Sequence, residues 1–266
     1  MEEKMEEKRA SFFEHLEELR RHLIRSIIYI AVAGTGGFYF YNRLIWVMEF
    51  PLRKHLEFMQ RMPYLRYIDV KNPVKLVFIT PAEAIWVALK LGFLAGFVVV
   101  LPLVLYELWL FLKPSLYPNE RQYVRIFVIG TGGLFIIGGL FSFFILLPFA
   151  VNFLLTFASN LVPMLSIGAY MDFCLKFMFA FGLVFEMPLA ILILVAIGII
   201  TPQTLAKQRK IAIVGAFILG AILSPTPDVF NQTLIAVPLY ALYEIGISLS
   251  MIYVRRRHNK GEAGSQ

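Results

Sequence analysis

The chain has 266 residues, 59% of them hydrophobic and 16% charged, with a mean hydropathy of +0.71. Water-soluble domains carry about 25% charged residues, so this balance excludes an ordinary soluble globule and points to a helical protein held mostly in a bilayer. The net charge of +7 comes without a basic patch interleaved with aromatics, which argues against a nucleic-acid partner, and the single cysteine, Cys174, excludes a disulfide framework.

Residues 1–10 mix acids and bases and are expected as a disordered tail, followed by one membrane domain over 11–254 and a basic cytoplasmic tail over 255–266. Ser11 with Glu14 forms a capping box. It opens an amphipathic amino-terminal helix whose Phe12, Leu16, Leu19 and Leu23 make one apolar stripe along the membrane surface. The first span is expected over 23–47, with Gly34, Gly36 and Gly37 permitting close helix contact. Its apolar run continues past Ala31-Val32-Ala33, so it reads as a retained span rather than a cleaved leader.

Residues 48–80 form a polar loop. Leu52, Leu56 and Met59 predict a short amphipathic helix ending before Pro63, and Val74 to Ile79 predicts an extended stretch. Thr80-Pro81-Ala82-Glu83 is a strong helix start for a second span over 81–112, where Pro102 is expected to kink the helix. The polar turn from Pro114 to Arg121 leads into a third span over 120–157, capped by Asn119 and Gln122. Further spans are expected over 172–200, 210–223 and 228–254. The fifth is short, about 20 Å at ~1.5 Å per residue against ~30 Å of hydrocarbon. The fold class is therefore an all-α membrane protein of six transmembrane helices, with spans 5 and 6 short and the amphipathic helix at its entry.

Basic residues collect in 113–125, 201–210 and 255–260 and are missing from 158–171 and 224–230. By the positive-inside rule the first three links face the cytoplasm, which puts both termini there. The loop 48–80 is basic and runs against this count, but short loops orient a protein more reliably than long ones.

Two crossings separate Glu18 from Glu120, so both carboxylates face the same side. Paired acids suit a guanidinium, whose planar fork makes charge-assisted bonds. Each also has a structural explanation: Glu120 as the first acid of a capped helix, and Glu18 as part of a solvated helix face. Glu186 lies near the middle of the fourth span beside Pro188, where a carboxylate costs roughly 2.5–3.5 kcal/mol to insert and is functional by default. Glu107 and Glu244 lie near inner ends of spans and are ambiguous. His15, His22, His55 and His258 pair with no nucleophile and fit no metal spacing, so no catalytic residue, metal site or cofactor is expected, and the chain does not read as an enzyme. An ion-coupled transporter of a small solute, with Glu186 as its proton site, is the alternative; the internal repeat many such transporters carry is not evident.

Several stretches resemble the TatC family, the multi-span core of the twin-arginine protein translocase. They are His15-Leu16-Glu17-Glu18-Leu19-Arg20, Pro102-Leu103-Val104-Leu105-Tyr106-Glu107-Leu108-Trp109 through Phe111 and Pro114, Asn119-Glu120-Arg121, Phe185-Glu186-Met187-Pro188, and Ser224-Pro225-Thr226-Pro227-Asp228-Val229-Phe230-Asn231-Gln232. The resemblance implies a receptor for the twin-arginine signal peptides of folded precursors, working with TatA- and TatB-type single-span partners and the proton-motive force. It also implies a multi-pass protein of the bacterial inner membrane, or its archaeal or plastid counterpart, self-associated within the complex. It places Glu18, Arg20, Phe111, Glu120 and Arg121 at the signal-peptide site, and Glu186, Asp228, Gln232 and Pro51 in partner contact or assembly. One position departs from the family's pattern, His22, where a second basic residue is often seen; Glu107 stands where some members carry Gln and is assigned no ligand role.

Overall fold

The computed structural model describes residues 2–58, 65–70, 73–112, 124–157, 163–224 and 228–263, and these are overwhelmingly helical. Four stretches are long and apolar enough to cross a membrane: Pro81–Leu108, Gly130–Phe157, Ile167–Ala196 and Val229–Arg256. Leu16–Tyr39 with Tyr41–Arg53, bent by 82° at the break, passes the same test as a pair and makes a fifth when the two are taken as one broken span. The chain divides into two compact units, Met1–Val47 with Thr80–Gly133, and Met48–Ile79 with Leu134–Gln266.

The first unit is built on α1 (Glu2–Tyr39) and α4 (Pro81–Leu112). Helix α1 begins at Glu2, so helix replaces the disordered tail expected over 1–10. Glu, Lys, Met, Arg and Ala are all strong helix formers, and here that propensity outweighs the mixed charge. Helix α4 runs unbroken through Pro102. The two helices lie antiparallel along a glycine seam. A Cβ on Gly37 would stand 2.5 Å from the Gly92 carbonyl oxygen, and one on Gly92 would stand 2.7 Å from the Phe38 amide nitrogen. Only hydrogen side chains allow that approach, the device by which membrane helices gain packing contact. The unit also takes in the first part of α5 (Val124–Phe141), where Gly132 lies beside Leu105.

In the second unit, the loop after α2 (Tyr41–Met48) differs from its expectation. A single turn, α3 (Phe50–Arg53), leads into an antiparallel hairpin of β1 (Lys54–Phe58) and β2 (Leu65–Asp69), in register from Lys54–Asp69 to Phe58–Leu65. The predicted helix over Leu52, Leu56 and Met59 is thus a strand over Lys54–Phe58, and Met59 lies outside the described residues. His55 and Glu57 alternate with Leu56 and Phe58, a period of two that competes with the helical spacing. The extended stretch from Val74 to Ile79 is present as β3 (Leu76–Val77), paired in parallel with β4 (Leu165–Ser166).

The hairpin is held to the span that follows α5. Between α5 and α6 (Leu147–Phe157) one π-helical turn, Ser142–Leu146, widens the helix. Such a turn loosens the i→i−4 ladder. The Tyr67 hydroxyl donates to the Phe144 carbonyl at 2.6 Å, and Phe50 packs its ring against Tyr67, Phe143 and Phe144. The Tyr170 hydroxyl, from α7 (Ile167–Phe185), donates to the Met48 carbonyl at 2.8 Å.

Helix α7 continues after Glu186 as α8 (Met187–Ala196), and the expected fourth span of 172–200 is observed over 167–196. Helices α9 (Pro202–Lys207), α10 (Arg209–Leu223) and α11 (Val229–Ala263) complete the chain. At 15 residues α10 spans about 22 Å, as short as anticipated. Helix α11 runs on past 254 into the tail expected over 255–266.

Candidate functional site

One end of the first unit, away from the glycine seam, holds the most consequential polar cluster among the described residues. Glu107 on α4 is 4% exposed although it is an acid in an apolar span. Its Oε2 lies 2.5 Å from His22 Nδ1, its Oε1 accepts from the Tyr29 hydroxyl at 3.1 Å, and Arg25 Nη1 stands 3.9 Å away. All three partners come from α1. At about 100° per residue, Glu18, His22, Arg25 and Tyr29 share one stripe of that helix. A buried carboxylate is tolerable because donors surround it.

The helix pairing fixes where the expected site residues fall. Gly37 sits beside Gly92, Gly34 beside Phe93, and His22 beside Glu107. One further turn along the antiparallel pair brings Glu18 level with Phe111, both half-buried. Arg20 is exposed, about 200° around α1 from Glu18, and so is not brought together with it. Glu120 and Arg121 lie outside the described residues.

The second group of candidates lies in the second unit and does not converge on one point. Glu186 is half-buried at the junction of α7 and α8. Pro188, without an amide hydrogen, sits in the first turn of α8, and the Glu186 carbonyl accepts from the amides of Leu189 and Ala190. Asp228 caps α11: Oδ2 accepts from the Asn231 amide at 2.8 Å and Oδ1 from Asn231 Nδ2 at 3.0 Å. Gln232 donates through Nε2 to the Phe217 carbonyl at 2.9 Å, tying α11 to α10. Pro51 is buried in the single turn of α3.

One clasp went unread in the sequence. Arg209, at the start of α10, donates to both oxygens of Glu244 on α11, Nε to Oε1 at 2.7 Å and Nη2 to Oε2 at 3.0 Å. The Tyr240 hydroxyl also donates to Oε1, at 2.7 Å. The fork-to-fork geometry fixes α10 against α11. Thirty-five residues separate the pair, and nothing local in the sequence announces it.

The chain matches the family profile described as TatC, Sec-independent protein translocase protein, over residues 14–238. It is 37% identical over 247 residues to the Sec-independent protein translocase protein TatC of Aquifex aeolicus, covering 92% of this chain and 96% of that one. It is 37% identical over 249 residues to the protein of that name from Escherichia coli K12, covering 93% and 91%. A crystal structure described as the twin-arginine translocase receptor TatC superimposes with a TM-score of 0.68 at 37% identity, covering 90% of this chain and 98% of that one.

Proposed function

This chain belongs to the TatC family and is thereby a component of the Sec-independent protein translocase; on that premise we propose that it is the receptor that binds twin-arginine signal peptides. Glu18 supplies a carboxylate to a peptide guanidinium, Phe111 an apolar contact for the flanking peptide, and Glu120 the second acid. Arg20 and Arg121 border the site. The observation that carries this reading is the pairing of α1 with α4, whose register sets Glu18 level with Phe111 at one end of the seam.

The same reading puts this end, with both termini, on the cytoplasmic side of the inner membrane, in keeping with the basic links at 201–210 and 255–260. TatA- and TatB-type single-span subunits, and further copies of this chain, then meet the surfaces around Glu186, Asp228, Gln232 and Pro51. Transport draws on the proton-motive force.

The test is binding of a labelled twin-arginine peptide to the full chain in detergent. Glu18→Gln removes one charge-assisted bond and is expected to weaken binding about tenfold, since hydrogen bonds to charged groups contribute roughly 1.5–3 kcal/mol. Unchanged affinity in both Glu18→Gln and Glu120→Gln would reject the acidic pair.

A further inference from the structure

The glycine seam between α1 and α4 fixes the roll of the two helices where Gly34 and Gly37 meet Gly92 and Gly96, because only hydrogen side chains fit there. Glu18 lies sixteen residues from Gly34, about four turns away, and at that end directional bonds take over from the seam. The Tyr29 hydroxyl and the His22 imidazole both reach Glu107, from positions two turns apart on one stripe of α1, with Arg25 between them. A roll by one residue is about 100° and would carry all three off the acid. Glu18 lies on that same stripe, four residues from His22.

We propose that His22 and Tyr29, acting through Glu107, are positioning residues for the signal-peptide site: they set the roll and register of α1 so that the Glu18 carboxylate is aimed beside Phe111, and this aim is what separates arginine from lysine. The inference rests on the functional reading above. A guanidinium is a rigid planar fork that needs two acceptor oxygens correctly oriented, whereas an ammonium is a compact charge accepted from many directions. Loss of aim therefore harms arginine recognition more than lysine recognition. Glu107 is not itself the peptide's ligand, because its side chain is only 6% exposed and its oxygens are already bonded by α1.

The readout is the ratio of affinities for a twin-arginine peptide and its twin-lysine counterpart, measured on the full chain in lipid nanodiscs. The unmodified chain is expected to favour arginine. Tyr29→Phe and Glu107→Leu are expected to shrink that preference by at least about threefold, the low end of coupling between contacting residues. Glu107→Gln keeps an acceptor for Tyr29 and is expected to retain most of the preference. The exchange of His22→Glu with Glu107→His restores a pair across the seam and is expected to recover part of it. A ratio unchanged in Tyr29→Phe overturns the inference even if Glu107→Leu fails to fold. So does a loss in Glu107→Gln as deep as in Glu107→Leu, which would make the acid a direct charge partner. If the unmodified chain binds both peptides alike, the receptor reading itself fails and the inference with it; discrimination by the unmodified chain with unaltered variants sinks the inference alone.

Discussion

Glu107 and Glu244 occupy matching situations in the two units and are handled in opposite ways. Each is an acid on a long apolar helix, bonded to a tyrosine and near an arginine of another helix. Glu244 receives a two-pronged arginine, yet its side chain is 30% exposed and that of Arg209 is 47% exposed. Glu107 has the poorer arginine geometry, 3.9 Å to Arg25, but is enclosed. A pair left partly open on the helix surface loses side-chain freedom to hold its geometry, whereas an enclosed acid makes every donor around it consequential. The clasp at Glu244 thus orients helices, and the cluster at Glu107 holds them.

That contrast can be broken by mutation. Glu107→Ala leaves the His22 ring and the Tyr29 hydroxyl without their acceptor and is expected to destabilise the first unit by about 3 kcal/mol, read as a fall in melting temperature in detergent. Gly37→Val attacks the same seam through sterics, with the Gly92 carbonyl in its way, and is expected to cost about 2 kcal/mol by the same measurement. Arg209→Met comes last: it removes both prongs of the clasp but is expected to shift the melting temperature far less than either. A loss after Arg209→Met equal to that after Glu107→Ala would show that geometry, not enclosure, decides the strength of these clusters.

Long apolar runs located the spans because a bilayer-crossing helix must be apolar for most of its length, so the second, third and fourth spans were legible. Short elements were less so. The stretch from Lys54 to Phe58 carries both a helical and an alternating pattern, and pairing with β2 decided between them. The tail was misread because charge was weighed above helix propensity. In the site, Glu18 and Phe111 were named from motifs, but no local pattern shows that they share a level. The cluster at Glu107 was hidden by a sequence separation of 85 from His22. One trace of it existed: His22, the position that departs from the family's pattern, is the one that touches Glu107.

The π-helical turn at Ser142–Leu146 has a consequence beyond the carbonyl it offers to Tyr67. Accommodating one extra residue shifts the phase of everything after it by about 100° relative to an uninterrupted helix. Before the turn, Gly138 faces Phe181 and Phe185 of α7; at its end Leu146, and beyond it Ala150, line a small cavity with Phe177, Asn231 and Leu234, and so face α11 as well. One rod thereby fits two differently placed neighbours. Deleting Ser142 would keep every apolar side chain in the sequence and aim the second half of the span at the wrong one.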